Sequence, residues 1–299
     1  MAEQKKQRII GFVGTGVMGK SMAGHFLKAG YPVLVYTRSK EKAEDLLAQG
    51  AVWKETVAAL AREADVVITM VGYPHDVEEV YLGADGLIAN AKPGSYLIDM
   101  TTSKPALAQK LYEEAKKRGL HALDAPVSGG DIGARDARLT IMVGGDQGAF
   151  AEMEPLLKIM GTNVILQGGP GAGQHTKMCN QIAIASNMMG VCEAIAYAKR
   201  AGLDPVRVLD SIAAGAAGSW SLSNLGPRMI AGNFDPGFYI KHMIKDMTIA
   251  LESAKEMGLL TPGLELSKSL YEELAAEGEE NSGTQALIKW YERQVEGSR

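Results

Sequence analysis

The residues of this chain best suited to chemistry stand at the head of one segment, GAGQHTKMCNQIAIASNMMGVCEAIAYAKRAG, residues 171–202. Lys177 is followed three and four positions later by Asn180 and Gln181. On a helix such positions share a face, so an amine and two amides would project together. From Ile182 to Ile195 the segment is Ala, Ile, Met, Val and Cys with a few small polar residues and Glu193. A helix so apolar on every side is expected to lie buried. A lysine at its entrance either snorkels to the protein rim or is held in a low-dielectric cleft to move a proton. His175 reads as a capping or packing residue beside it.

A second cluster opens the chain. GFVGTGVMGKSMAGHFLKAG carries Gly14, Gly16 and Gly19 in G-x-G-x-x-G spacing between a strand and a helix. The first glycine makes a tight turn, the second lets backbone approach a pyrophosphate, and the third lets helix pack close to strand. With Val17 and Met18 between them, these residues predict a dinucleotide held at a helix N-terminus. The next strand ends in Thr37-Arg38-Ser39-Lys40. An acidic residue that would accept from a ribose 2′-hydroxyl is missing there, and Arg38 offers a planar cation to a 2′-phosphate with Ser39 as a further donor. NADP(H) is therefore expected in preference to NAD(H).

These residues need elements to position them. Short β-branched runs recur at 8–14, 32–38, 65–72, 95–100, 121–127, 139–145 and 163–169, with helical patterns between them such as SKEKAEDLLAQG and KPALAQKLYEEAKKRG. That rhythm predicts an α/β chain with an N-terminal doubly wound parallel sheet. After the joint GGPGAG the strand signal stops, and helices are expected from about His175, from Asp204-Pro205, and around 221–231, 240–257 and 263–277. The boundary falls near residue 170, giving domains 1–170 and 171–299. A helix as apolar as the one after Lys177 needs partners on several faces, which points to a homodimer or homotetramer.

Bulk composition excludes other classes. The 299 residues are 46% hydrophobic and 22% charged with a formal net charge of −4 and no basic block, so neither a nucleic-acid surface nor a membrane partner is expected. His25, His75, His121, His175 and His242 are scattered, and Cys179 and Cys192 make no ligand spacing, so no metal site is expected. Two thiols on one helix suit a reducing cytoplasm, and MAEQKKQRII has no apolar run of signal-peptide length. Asp124 reads as serving the sheet edge or a turn, and Trp220 and Phe238 as pocket lining or core.

Four stretches in order, GFVGTGVMG, DAPVSGGDIGARDARLTIMVGG, GAGQHTKMCNQ and FYIKHMIKDM, make the chain resemble the β-hydroxyacid dehydrogenases over nearly its whole length. That family includes 3-hydroxyisobutyrate dehydrogenase and the tartronate, succinic and glyoxylic semialdehyde reductases. The resemblance implies a Rossmann domain, an all-α C-terminal domain, an active site in the cleft between them, and hydride transfer between NAD(P) and a small anionic hydroxy acid or semialdehyde. It implies that Ser128, Gly129 and Gly130 hold the substrate carboxylate and that Lys177 is the catalytic lysine. Asn180 and Gln181 would fix substrate and lysine. Val71, Thr102 and Lys245 would join the cofactor residues. The chain departs from the family where Gln181 replaces a second Asn, as in the tartronate semialdehyde reductase branch, and where Ala137 replaces a glycine. Imine-reducing relatives usually lack the lysine, and non-catalytic NADP-binding modules tend to lose the lysine or the SGG turn; both stand here.

Overall fold

The structure is a computed structural model that describes residues 7–296; the first six residues, part of the N-terminal stretch read above for targeting, lie outside them. Two compact units divide the chain, residues 1–177 and 178–299.

Among the described residues the first unit is built on nine strands: β1 (Ile10–Val13), β2 (Val33–Tyr36), β3 (Val52–Trp53), β4 (Val66–Thr69), β5 (Tyr96–Asp99), β6 (His121–Asp124), β7 (Val127–Ser128), β8 (Leu139–Gly144) and β9 (Gly161–Gly168). Their order is β3-β2-β1-β4-β5-β6-β8-β7, with β9 on β8. From β3 through β6 every pairing is parallel. The two-residue period explains why these strands are apolar throughout: Ile10, Phe12, Val33, Val35, Val66 and Ile68 feed one buried cluster, while Val13, Leu34, Val67 and Leu97 feed the other.

The sheet departs from the all-parallel expectation at one edge, because β6 and β7 each meet β8 antiparallel. Residues 125–138 between β6 and β8 are taken up by β7, a glycine turn and the six-residue helix Gly130–Arg135. No helix of crossover length is available to carry the chain over the sheet and restore a parallel direction. β9 then returns parallel to β8 through the helix Gln147–Leu157.

In the second unit the described elements are helices: Pro205–Ala213, Trp220–Asn224, Gly226–Ile230, Ile240–Glu256, Pro262–Leu274 and Ile288–Glu296, with shorter turns between. The long helix Ala172–Arg200 begins in the first unit and continues into the second. Contrary to the expectation from composition, it is not buried all round. Met178, Gln181, Ala185, Met188, Cys192 and Ile195 form its buried stripe, while Cys179, Ile184, Ser186, Gly190 and Tyr197 are exposed. Within one chain its neighbours cover one face, and the other, which carries Ile184 and Tyr197 among smaller residues, is left open. Trp220, read as pocket or core, is 63% exposed.

Candidate active site

The glycine loop lies at the C-terminal end of β1, where the parallel strands aim their carboxyl ends. A Cβ at Gly14, whose φ is +95°, would stand 2.2 Å from the Met70 carbonyl oxygen. A Cβ at Gly19 would stand 2.0 Å from the Gly14 carbonyl oxygen, so the helix Val17–Lys28 packs against the loop only with glycine there. Gly16 faces open space, with nothing within 4 Å of a Cβ. The helix that starts beside it has no side-chain cap and no acidic residue in its first turn. Thr15 is buried and its hydroxyl has no hydrogen-bond partner among the described residues. Free N–H groups, an uncompensated helix dipole and open space at one glycine suit a pyrophosphate. Residues 14–19 therefore fit a dinucleotide.

At the end of β2, Arg38 extends its guanidinium into solvent, 82% exposed, and donates to Asp76 Oδ1 at 3.2 Å. Asp76 is buried, and its other oxygen accepts from the Tyr73 N–H at 3.0 Å. The sequence reading passed over Asp76. Its signal was present: Pro74 opens the helix Pro74–Leu82 and an acid follows two positions later, the pattern of a capped N-terminus.

The ends of β4, β5 and β6 carry a buried polar network. Asp99 accepts from Thr69 Oγ1 at 2.9 Å and from the Thr101 N–H at 3.1 Å, and Thr101 Oγ1 accepts from the Val71 N–H at 3.0 Å. Burial pushes the Asp99 carboxyl up to about 6; bonds from Thr101 and Thr69 oppose this, and the Asp124 charge adds to it. Asp124 does not serve the sheet edge or a turn of its own, as its sequence context suggested. Its two oxygens accept from the Gly171 and Gln174 N–H groups, each at 2.8 Å, so it caps the start of the long helix. Burial raises its carboxyl as well, with those N–H groups opposing. Gln174 completes the network: its Oε1 accepts from the Ser103 N–H at 2.9 Å and its Nε2 donates to the Thr101 carbonyl at 2.7 Å. Thr102 thus sits between two clamped residues.

One turn further on, Lys177 is 6% exposed, so its side chain does not snorkel to the surface. The SGG turn follows β6 in the same unit. Ser128 pairs with Thr140 across β7 and β8, and Gly129 and Gly130 hold φ of +131° and +63°, which side-chain-bearing residues seldom adopt. Ala137, where the family has glycine, also holds a left-handed φ of +53° and is the one described non-glycine residue to do so.

In the second unit, Asn180 Nδ2 donates to Gln181 Oε1 at 2.8 Å, and Gln181 Nε2 donates to Asp246 Oδ2 at 2.5 Å. Lys245 Nζ lies 3.0 Å from Asp246 Oδ1, and its side chain is 12% exposed. Gln181 and Asp246 are therefore one buried pair, with the largely covered Lys245 ion-paired to it rather than lying on a solvated face. The bond between Asp246 and Gln181 was missed because the two lie 65 residues apart in sequence. Burial, with the charge of Lys245 next, lowers the His242 pKa.

Fold and site together define a nicotinamide-dependent oxidoreductase, and comparison with known proteins agrees. Residues 9–169 match the model of the NAD binding domain of 6-phosphogluconate dehydrogenase, and residues 171–291 match that of the NAD-binding domain of NADP-dependent 3-hydroxyisobutyrate dehydrogenase. The chain is 66% identical over 283 residues to the uncharacterized oxidoreductase YkwC of Bacillus subtilis, covering 95% of this chain and 98% of that protein. It is 39% identical over 280 residues to the 2-hydroxy-3-oxopropionate reductase of Escherichia coli, covering 94% and 96%. The solved structure of Mycobacterium tuberculosis 3-hydroxyisobutyrate dehydrogenase with L-serine superposes with a TM-score of 0.87 at 30% identity, covering 95% of this chain and 98% of that one. The chain belongs to the β-hydroxyacid dehydrogenase family. It is an oxidoreductase acting on the CH–OH group of hydroxy acids with a nicotinamide cofactor.

Proposed function

We propose that this enzyme interconverts a small β-hydroxy acid and its semialdehyde, in the manner of 3-hydroxyisobutyrate dehydrogenase, with NADP(H) preferred and Lys177 as general acid/base. The observation that carries the reading is a buried lysine one turn into a helix whose start is fixed to the strand ends. The nicotinamide cofactor, when bound, supplies or accepts the hydride. Residues Gly14, Gly16, Val17, Met18 and Gly19 would hold its pyrophosphate, Thr37, Arg38 and Ser39 its adenosine end, and Val71, Thr102 and Lys245 its nicotinamide end.

The remaining work belongs to the chain. Ser128, Gly129 and Gly130 would bind the substrate carboxylate through a hydroxyl and backbone N–H groups. In the reductive direction Lys177 Nζ gives its proton to the nascent alkoxide oxygen and its charge stabilises that oxygen as it forms; in the oxidative direction it takes the proton back. Asn180 and Gln181 would orient substrate and lysine, with Gln181 held in turn by Asp246. Exclusion of water around a buried amine strengthens each of these interactions.

The test is initial rate with NADP and NAD against 3-hydroxyisobutyrate, D-glycerate, 4-hydroxybutyrate and their aldehydes, with Lys177→Ala alongside. The variant should keep cofactor binding and lose turnover by roughly 10²–10⁴-fold. Near-normal turnover would remove Lys177 from the chemistry. NADPH binding without turnover on this panel and on a wider one with glyoxylate and imines would favour a non-catalytic binding module.

A second reading is reduction of tartronate semialdehyde. It is favoured by Asn180-Gln181 and by the 39% identity to the E. coli 2-hydroxy-3-oxopropionate reductase. Preferred turnover of D-glycerate over 3-hydroxyisobutyrate would select it. The exposed apolar residues of the second unit, among them Ile184, Tyr197, Leu203 and Leu260, support a homodimer or homotetramer, checked by light scattering.

A further inference from the structure

We propose that Gln174 is a positioning residue for the reaction: its side-chain amide fixes the spacing between the Thr101–Ser103 loop and the helical turn that presents Lys177. The inference rests on the roles given to Lys177 and Thr102 above.

Gln174 is fully buried. Its two amide atoms are committed to the two residues that flank Thr102, Oε1 to the Ser103 N–H and Nε2 to the Thr101 carbonyl. One donor and one acceptor are required in a fixed order, so a primary amide fits and a carboxylate or an apolar side chain does not. The loop has no slack of its own at this point, because Thr101 is also tied through its N–H to Asp99 and through its hydroxyl to the Val71 N–H.

The helix end of the link is equally fixed. The Gln174 N–H and the Gly171 N–H both go to Asp124 at the end of β6. Gly173 is pressed so close to the strand ends that a Cβ would stand 2.4 Å from the Met142 carbonyl oxygen and 2.7 Å from that of Asp124. The first turn therefore cannot move toward the sheet, and Asp124 sets its height. Gln174 supplies the side-chain bonds joining that turn to the Thr101–Ser103 loop. Lys177 follows three residues later on the same face. Hydride and proton transfer demand that substrate, cofactor and acid keep their spacing closely, and a displacement of about 1 Å can cost roughly 10²-fold in rate.

The experiment compares wild type with Gln174→Met, Gln174→Glu and Lys177→Ala, using NADP with 3-hydroxyisobutyrate and D-glycerate, each also deuterated at the carbinol carbon. Rates are expressed per NADPH-binding site, titrated by fluorescence, so that unfolded protein drops out of the comparison. Gln174→Met should lower kcat by about 10–100-fold while KM for NADP moves by less than about threefold. Its primary deuterium isotope effect on kcat should rise as hydride transfer becomes limiting. Gln174→Glu keeps the acceptor for the Ser103 N–H but sets an oxygen against the Thr101 carbonyl, and should fall further. Without any substrate, amide hydrogen exchange across residues 100–105 should quicken by about tenfold in both Gln174 variants.

A Gln174→Met enzyme with normal kcat per binding site and an unchanged isotope effect, beside an inactive Lys177→Ala, would overturn this inference alone. Near-normal Lys177→Ala turnover would overturn the reading on which it rests. Should Gln174→Met fail to fold, Gln174→Glu, which preserves the shape, decides by the same readouts, and its normal kcat or unchanged exchange at 100–105 would equally overturn the proposal.

Discussion

Replacing Asp124 by Ala tests whether the start of the long helix hangs on one carboxylate. The substitution leaves two buried N–H groups, those of Gly171 and Gln174, without their 2.8 Å acceptors. Each buried unpaired donor costs about 1–3 kcal/mol, so the two together set a ceiling near 6 kcal/mol. Two effects reduce it. Asp124 is itself raised by burial, so removing its charge recovers part of that penalty. A cavity of about 10 Å³ bordered by Tyr81, Asp99, Tyr112 and Asp124 lies against the site, and a widened version could admit a water to one N–H. The expected loss is therefore about 2–4 kcal/mol, and roughly half of it for Asp124→Asn, which keeps one acceptor oxygen. Urea unfolding monitored by helical circular dichroism at pH 7 would measure it, with the slopes compared so that a change of mechanism is not mistaken for a change of stability. A loss below about 0.5 kcal/mol for Asp124→Ala, the range of ordinary surface changes, would refute the reasoning.

Three further outcomes follow from the same geometry. The Asp99 carboxyl at about 6 binds its proton more tightly in the folded chain than at its ordinary 3.8. Its contribution to stability is thus full below about pH 4 and lost as pH rises through about 6, on the order of 3 kcal/mol in all. Asp99→Asn should flatten that part of the stability profile and be the more stable form at pH 8; an unchanged profile between pH 4 and 6 would count against a raised carboxyl. Ala137→Gly relieves a left-handed residue at φ +53° and should raise stability by about 0.5–1 kcal/mol in thermal unfolding, after the glycine's own entropic cost. Arg38→Ala should lower kcat/KM for NADP by about 10–100-fold, the loss of a charge-assisted contact of about 1.5–3 kcal/mol, and change NAD much less; equal losses with both cofactors would remove Arg38 from the choice between them.

Much of this could be read in the chain because the signals are local. The β-branched runs at 8–14, 32–38, 65–72 and 95–100 each contain an observed strand, and the glycine spacing at 14, 16 and 19 is explained by steric contacts among near neighbours. β3 and β7 escaped because two residues carry no period. The reversal of β8 escaped because strand direction depends on whether the intervening chain can span the sheet, and residue type does not record that. The long helix was overestimated as buried because apolar composition says which surface could be covered and leaves open how many neighbours one chain supplies. Asp76, with its Pro74 signal, could have been found.

By itself, then, the sequence determined the Rossmann half, the helical half and the family, and it singled out Lys177 as the residue to test. All of these rest on short-range pattern: two-residue and 3.6-residue periods, glycines where backbones meet, and ordered motifs. Only the tertiary structure decided who holds whom. Asp124 caps a helix 47–50 residues away, Gln174 clamps a loop 71–73 residues back, and Gln181 leans on Asp246 from 65 residues before it. Such pairs arise because folding removes water from groups that must then find partners among whatever the topology brings near.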